Sequence, residues 1–223
     1  MTHPFILNFH GIGEATARPY EEGEERYWIA RSRFRAILDM FDRSLDAGEI
    51  AITFDDGNAS DAEIAAPELA SRGLNATFFV LAGKLDRAGY LSTQQLLDLA
   101  GQGFGIGSHG MDHVAWPTLR KAQLHNEVAD SRRKLEQVLG RPITSAALPF
   151  GRYNRVVLSA AKRAGYQALY SSDGAPRMSA SFPIPRFSVT ADTQDERLHN
   201  LARSTGLLSR SRQEAKLLLK ALR

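Results

Sequence analysis

Short apolar runs recur along the chain, and stretches with helical spacing separate them. Several of these runs are apolar throughout rather than alternating with polar residues, which is typical of strands buried on both faces of a parallel sheet. The predicted strands are FILNF (5–9), AITF (51–54), ATFFVL (76–81), FGIG (104–107), SAAL (145–148), QALY (167–170) and a weaker FPIPRFSV (182–189).

Helix signals lie between the predicted strands. Ser92 and Gln95 form a capping box, and Asn154 is placed to cap a later helix. About seven β/α units in one chain predict a single α/β domain folded as a barrel, with a doubly wound open sheet as the alternative. The predicted helices run over 32–46, over 59–72, from Ser92 to near Gly101, from Pro117 to Gly140 and from Asn154 to Gly165.

Composition narrows the possible chemistry. The chain has 223 residues, 43% of them hydrophobic, and no cysteine, so disulfides, thiolate catalysis and a Cys-ligated zinc are excluded. No window resembles a signal peptide or a membrane span, so we expect a cytoplasmic protein, although a chain whose leader had been removed would look the same.

Charge is concentrated at one end. The net charge is +3, but residues 202–223 alone carry six Lys or Arg and one Glu. The rest of the chain is slightly acidic, which argues against nucleic-acid binding. We therefore divide the chain into a barrel over 1–201 and a basic amphipathic C-terminal helix over 202–223. That helix either docks on the barrel or makes weak contact with an anionic membrane surface, and a disordered tail is the third alternative.

Three polar segments follow predicted strands, where the functional end of an α/β fold lies. In TFDDG (53–57), Asp55 and Asp56 can both line one pocket as the strand enters a turn, although an acidic Asp-Gly turn is also common. In GSHGMDH (107–113), His109 and His113 are four residues apart, a spacing that lets two imidazoles share a metal. Two histidines and one carboxylate leave coordination positions open for water and substrate.

The third segment is ALPFG (147–151). Pro149 has no N–H and a fixed φ, so the next N–H, that of Phe150, could point into the mouth of the barrel and stabilise an oxyanion.

In this order and spacing, the three segments resemble the motifs of the polysaccharide deacetylases, also called the NodB-homology family or carbohydrate esterase family 4. The first motif, TFDDG, matches identically at 53–57. The second, H-[ST]-x-x-H, matches at 109–113, with Gly110 in place of Ser or Thr. The third, R-x-P-[FY]-G, matches at 149–151, with Ala147 in place of Arg. The resemblance covers roughly residues 5–190. It implies a distorted (β/α)7 barrel and metal-dependent removal of acetyl groups from N-acetylated sugars.

Carried over residue by residue, the resemblance implies that Asp55 is the general base. It also implies that Asp56, His109 and His113 bind one divalent metal, with zinc as the default and Co²⁺, Ni²⁺ or Mn²⁺ as alternatives. The leaving amine needs an acid, which the family usually supplies as a histidine near the last strand. After residue 150 the chain has only His199, in a segment with helical character.

His10 is the preferred candidate for this acid, because it ends the first predicted strand and should enter the same mouth. The strand-His start resembles the branch of the family that deacetylates poly-N-acetylglucosamine and related exopolysaccharides. A histidine near pKa 6.5 can carry the proton, and a nearby carboxylate would raise that value. A structural histidine that caps the strand is the alternative.

Three further residues are expected on the substrate side of the mouth: Pro149, Arg186 and Trp28. Arg186 could instead take over the missing family arginine and pair with Asp55, or lie on a solvated rim. Trp28, together with Tyr27, could stack on a sugar, or the two side chains could pack into the core or form a lid over the pocket.

Three functions remain open at this point. The leading one is a metal-dependent N-deacetylase acting on a polysaccharide, an oligosaccharide or a glycan precursor. The departures at Ala147 and in the late motifs also allow a non-catalytic carbohydrate-binding barrel. A metal-dependent esterase or amidase with an O-acetylated or non-sugar substrate is the third.

Overall fold

The computed structural model describes residues 5–15, 17–44, 50–174 and 182–203. Its strands are β1 (Phe5–Phe9), β2 (Ile50–Phe54), β3 (Ala76–Val80), β4 (Gly105–Ser108), β5 (Ser145–Ala147), β6 (Ala168–Ser171), β7 (Ile184–Pro185) and β8 (Phe187–Ser188). Its helices are α1 (Arg31–Ser44), α2 (Ala66–Ala70), α3 (Thr93–Gly101), α4 (Lys121–His125), α5 (Ser131–Leu139), α6 (Arg155–Arg163) and α7 (Asp195–Arg203).

The strands form one parallel sheet in the order β7-β6-β5-β4-β3-β2-β1-β8. β7 and β8 belong to one short segment that is divided by Arg186. Its first part pairs with β6 and its second part pairs with β1. This segment therefore joins the two ends of the sheet, and the fold is a barrel of seven β units with a distorted closure. The predicted α/β barrel is confirmed, and the open-sheet alternative is wrong.

Most helix ends lie where the sequence signals predict them. The Ser92 capping box is present, Asn154 accepts from the Val157 N–H, and Gly140 ends α5 in a left-handed conformation. The prediction at Pro117 is wrong. That residue lies in a 3-10 turn, Trp116–Thr118, and the helix proper begins at Lys121. Two π-type turns, Asp61–Ala65 and Asn126–Asp130, lead directly into α2 and α5.

Aromatic packing joins the strands to the helical layer. Phe54 of β2 stacks between Phe9 of β1 and Phe78 of β3, and Phe34 of α1 packs edge-on against the first two rings. All four side chains are buried. Their packing fixes β1 and β2 side by side, so that the residues that follow each strand emerge together at the carboxyl end of the barrel.

The described helices offer no candidate for a membrane span, because none is both long and apolar enough. The described part of α7, Asp195–Arg203, includes the predicted boundary at residue 201. The predicted amphipathic tail beyond it, residues 204–223, lies outside the described residues.

Candidate active site

One pocket at the carboxyl end of the barrel collects side chains from every segment singled out by the sequence motifs. Its volume is about 180 Å³. The walls come from the residues that follow β2, β4, β5 and β6, from the long loop between β1 and α1, and from β8. The lining residues are His10, Glu21, Glu22, Gly23, Glu24, Tyr27, Asp55, Asp56, His109, His113, Phe150, Ser172 and Ser188.

Asp55 lies at the bottom of this pocket in a buried ion pair. Its two carboxylate oxygens each accept from one guanidinium nitrogen of Arg186, at 2.7 Å and 2.7 Å. The Asn8 amide also donates to Oδ2, at 2.9 Å. Burial alone would raise the pKa of Asp55, but the charge of Arg186, followed by that of His109, outweighs it and leaves the pKa below its usual value.

Arg186 is therefore a buried residue beneath the pocket and not a residue of its rim. Its side chain is fully buried, with the guanidinium 5.1 Å from the Phe79 ring centroid and 5.8 Å from that of Tyr170. It lies beneath the pocket and not among its lining residues. The rim interpretation is wrong, and direct contact with substrate does not fit this burial, because the guanidinium is occupied by Asp55.

Asp56, His109 and His113 meet beside Asp55. Asp56 Oδ1 lies 3.4 Å from His109 Nε2 and 3.5 Å from His113 Nε2. One ligand atom from each residue lies within 4.8 Å of the others, a spacing that can hold a metal ion. Asp56 Oδ1 is buried and makes no hydrogen bond to the described residues. A buried carboxylate oxygen without a partner is costly, so this donor set fits a divalent cation.

The imidazoles are oriented for this arrangement. His109 Nδ1 lies 3.0 Å from the Ala147 carbonyl oxygen. A carbonyl only accepts, so Nδ1 carries the proton and the lone pair of Nε2 is available on the side of Asp56. His113 Nδ1 faces the Glu21 carboxylate at 3.2 Å in the same manner.

The backbone is strained at this site. Among the described residues, four non-glycine residues have φ in the left-handed region, and three of them lie in this pocket: Asp56 (76°), His113 (56°) and Phe150 (57°). Such conformations cost about 1–3 kcal/mol each and cluster at functional sites, where the surrounding structure enforces them.

A buried glutamate explains the departure from the family's second motif at Gly110. Glu127 Oε2 accepts from the Met111 N–H at 2.8 Å and from the Trp116 indole at 3.4 Å, and thereby ties the turn between the two histidines. A Cβ at Gly110 would lie 2.5 Å from this same oxygen, and φ there is +93°. Glu127 thus holds the turn, and a serine or threonine in place of Gly110 would not fit beside it.

His10 lines the pocket, with its ring centroid 4.6 Å from that of Tyr27. Its Nδ1 is buried and has no hydrogen-bond partner among the described residues. The expectation that a carboxylate would raise its pKa is not met. Burial lowers the pKa of His10 by more than Asp56 and Asp55 raise it. His199 lies on α7 and does not line the pocket.

The other predicted residues divide into two groups. Phe150 lines the pocket with 55% of its surface exposed, and its ring centroid lies 4.4 Å from that of His113. Pro149 and Trp28 are buried and do not line this pocket, which does not fit the predicted substrate contacts. The Trp28 indole instead donates to Glu24 at 3.0 Å, and Tyr27 supplies the aromatic surface.

The polysaccharide deacetylase family model matches residues 42–169, which is more than half of the chain. The chain belongs to this family. It is 34% identical over 172 residues to YxkH of Bacillus subtilis (strain 168), which is named as a polysaccharide deacetylase. The aligned region covers 73% of this chain and 62% of YxkH. It is also 30% identical over 157 residues to a chitin deacetylase of Pestalotiopsis sp., and that aligned region covers 70% of this chain and 50% of the relative. The chain therefore spans less than two thirds of either relative.

A solved structure supports the fold independently. The Streptococcus pyogenes deacetylase PplD, determined with acetate, superposes with a TM-score of 0.78 at 20% identity and covers 90% of this chain and 98% of its own. Identity at this level supports the deacetylase barrel and not the individual residue roles.

Three residues of this deacetylase-family site escaped the sequence analysis: Asn8, Glu21 and Glu127. Asn8 had a usable signal, because it is the one polar residue in FILNF and pairs in register with Thr53, so it faces the same interior. Glu21 and Glu127 contact the histidine turn from 92 and 16 residues away, and no spacing rule connects them to it.

Proposed function

We propose that this chain is a metal-dependent N-deacetylase whose substrate is an N-acetylated sugar in a polysaccharide, an oligosaccharide or a glycan precursor. The observation that carries the proposal is the cluster of Asp56, His109 and His113 in one pocket with the ion-paired Asp55. Family membership supports sugar deacetylation, and the donor set supports one divalent ion, with zinc as the default and Co²⁺, Ni²⁺ or Mn²⁺ as alternatives.

In this proposal Asp56 and the two histidines hold the ion. A divalent ion there supplies Lewis-acid polarisation of the acyl oxygen and lowers the pKa of water. Asp55 takes the proton of the attacking water. Arg186 and Asn8 keep its carboxylate ionised and fixed in orientation. Because its pKa is held low, Asp55 is a weak base, and it can serve only if the water is made correspondingly acidic.

The remaining steps concern the oxyanion and the leaving group. The N–H of Phe150 is proposed to stabilise the oxyanion from a backbone held by a fixed, left-handed φ. His10 is proposed to donate a proton to the nitrogen as the carbon–nitrogen bond breaks. Water is consumed, and acetate and a free amino group leave the pocket.

Acetate release from N-acetylated chito-oligomers tests the function. We expect release that a chelator abolishes and that a divalent ion restores. Comparing Zn²⁺, Co²⁺, Ni²⁺ and Mn²⁺ ranks the metals. Sugar binding without any acetate release would support the carbohydrate-binding barrel, and release from O-acetyl esters alone would support the esterase.

The acid role of His10 has its own test. His10→Ala should slow amide substrates much more than activated esters, whose leaving groups need no proton. His199→Ala is the matched control, and it should slow neither. Because the pKa of His10 lies below the ordinary 6.5, the protonated form is lost as the pH rises through that lower value. We therefore expect amide hydrolysis to decline at a more acidic pH than an unperturbed histidine would give. Equal slowing of both substrates in His10→Ala would contradict the assignment.

A further inference from the structure

Two histidines face Asp56, but different groups hold them. His109 is almost fully buried, and a backbone carbonyl of β5 accepts from its Nδ1. His113 lies at the outer edge of the pocket, with 16% of its side chain exposed and in the strained turn after β4. A rotating imidazole at such an edge loses its alignment, so the outer ligand needs an external partner more than the inner one.

Glu21 is that partner. Its Oε2 lies 3.2 Å from His113 Nδ1, on the side of the ring opposite the Nε2 that faces Asp56. A carboxylate accepts only, so this contact places the proton on Nδ1 and leaves Nε2 free. The carboxylate comes from the loop between β1 and α1, which none of the three sequence motifs includes.

The other oxygen of Glu21 is held as well. Oε1 lies 3.7 Å from the Lys84 ammonium and accepts from the Tyr90 hydroxyl at 3.4 Å. Both partners belong to the connection between β3 and α3. The carboxylate thus bridges two loops, with one oxygen on each side, and it is not a freely rotating surface group although 44% of the side chain is exposed.

The backbone of Glu21 is anchored too. Its N–H donates to Glu24 Oε2 at 2.7 Å, and its carbonyl accepts from the Glu24 N–H at 3.0 Å. Glu24 is paired with Arg18, which donates to Asn58 Oδ1 at 2.8 Å. Asn58 is two residues after Asp56. The loop that carries Glu21 is therefore fastened to the same strand end that carries the carboxylate ligand.

We propose that Glu21 is a positioning residue, which fixes the ring orientation and the Nδ1–H tautomer of His113 so that Nε2 points to the metal. This inference rests on the proposed metal site. Outer partners of this kind are worth about 10–100-fold in metal affinity.

Zinc affinity measured by competition with a chromophoric chelator tests it. Glu21→Ala should weaken zinc binding by about 10–100-fold, and Glu21→Gln should weaken it less, because an amide oxygen still accepts from Nδ1–H. The matched control is Glu22→Ala, which removes the same charge from the same loop and the same pocket. It should leave affinity within about twofold, since Glu22 is exposed to solvent and the charge of an exposed side chain is screened by salt.

The outcomes separate the two proposals. If Glu21→Ala and Glu22→Ala weakened zinc binding equally, Glu21 would act only through its negative charge, and the inference would be overturned. Unchanged zinc affinity in Glu21→Ala would overturn it as well. A wild-type chain that binds no divalent ion would overturn the proposed function as well. ¹⁵N NMR of the metal-free protein, at a pH where the imidazole is neutral, gives a second readout, because zinc on Nε2 would by itself keep the proton on Nδ1. His113 should show a protonated Nδ1 in the wild type and lose that uniform tautomer in Glu21→Ala.

Discussion

Asp55 and Asp56 are neighbours in the chain, share one pocket and have opposite surroundings. Both oxygens of Asp55 accept hydrogen bonds from Arg186, and Asn8 adds another. Asp56 Oδ1 is buried and has no hydrogen-bond partner among the described residues, with two imidazoles at about 3.5 Å. The chain thus supplies a permanent cation to the first carboxylate and none to the second.

This difference separates the roles of two identical side chains. The charge of Arg186 stays at every pH of interest, so Asp55 remains ionised and correctly oriented without any ligand. The pKa of Asp56 is also low, because the charge of His113 and the side-chain contact with His109 outweigh its burial. A deprotonated imidazole carries no charge, and a cation from solution is then the remaining way to compensate this carboxylate.

Replacing each aspartate by asparagine breaks the comparison most directly. Asp55→Asn should retain metal and lose about 10²–10⁴-fold in turnover, the usual contribution of a general base. Asp56→Asn should lose metal affinity, because an amide is a poorer ligand than a carboxylate. Metal content after dialysis and acetate release measure the two effects. Equal metal loss in both variants would show that the carboxylates are not differentiated in this way.

The ion pair between Arg186 and Asp55 gives the next largest effect. Arg186→Met leaves a buried carboxylate without its cation and should lower the free energy of unfolding by about 3–5 kcal/mol, as measured by denaturant titration. The double variant with Asp55→Asn should recover part of this loss, because no unpaired charge remains. The matched control is Arg31→Met, which breaks a pair with Glu68 from a half-exposed arginine and should cost at most about 1 kcal/mol.

A small loss in Arg186→Met would contradict the view that this arginine is needed to compensate Asp55. It would also reopen the question of what replaces the family arginine that is absent at Ala147.

The contrast between the two aspartates also marks how far sequence reasoning reached. The apolar runs located six strands to within a residue or so, because strands buried on both faces must be apolar throughout. The three motifs located the pocket. Arg186 was named as a possible partner of Asp55, but its burial depends on how the barrel closes. The weaker predicted strand over 182–189 is divided at Arg186 into β7 and β8, and the sequence pattern does not predict that division.

The contacts made by Glu21 and Glu127 were out of reach for a different reason. Each is a long-range contact between a loop or helix carboxylate and the histidine turn, and acidic side chains are usually solvated. The sequence left Trp28 open between sugar stacking and a core or lid role, because its burial depends on Gly11, where a Cβ would lie 2.0 Å from the indole. A close approach of this kind is a property of two segments together.

The turn that carries the two histidines of the proposed metal site offers a sharper test of how this turn is held. Gly110→Ser restores the residue that is usual in the family motif, yet it should destabilise this protein by about 1–3 kcal/mol. The left-handed φ and the contact with Glu127 both oppose it. It should also weaken zinc binding, because displacing Glu127 loosens the turn.

Gly103→Ser is the matched control. Its φ is +91°, nearly the same as at Gly110, but a Cβ there meets no atom within 4 Å. It should therefore show the conformational cost alone and leave zinc affinity unchanged. If Gly110→Ser behaved like Gly103→Ser in both stability and zinc affinity, Glu127 would have no role in holding the histidine turn.

A third aspartate extends the comparison to a carboxyl with neither kind of compensation. Asp61 is fully buried at the start of the π-type turn before α2, and neither oxygen makes a well-formed hydrogen bond to the described residues. Burial, followed by the negative charges of Asp56 and Asp55, raises its pKa well above 3.8. The pKa of Asp55, which pairs with Arg186, shifts in the opposite direction, below its usual value.

The sign of the shift decides how Asp61 affects stability. A carboxyl whose pKa is raised on folding stabilises the folded state only at low pH, and this contribution is lost as the pH rises through the folded-state pKa. At neutral pH Asp61 therefore costs stability. Asp61→Asn should raise the melting temperature at pH 7 by about 2–4 °C for each kcal/mol recovered. The gain should shrink as the pH falls towards 4, where the wild-type carboxyl is already protonated.

Asp86→Asn is the control with the opposite sign. The backbone and side chain of Thr93 lower the pKa of Asp86, so its contribution to stability is present at neutral pH and lost in acid. Thermal melts of the wild type and both variants between pH 4 and pH 8 should therefore diverge in opposite directions as the pH rises. A lower melting temperature for Asp61→Asn at pH 7 would mean that the ionised carboxylate is compensated, in which case Asp61 would belong with Asp55 and not stand apart from both pocket aspartates.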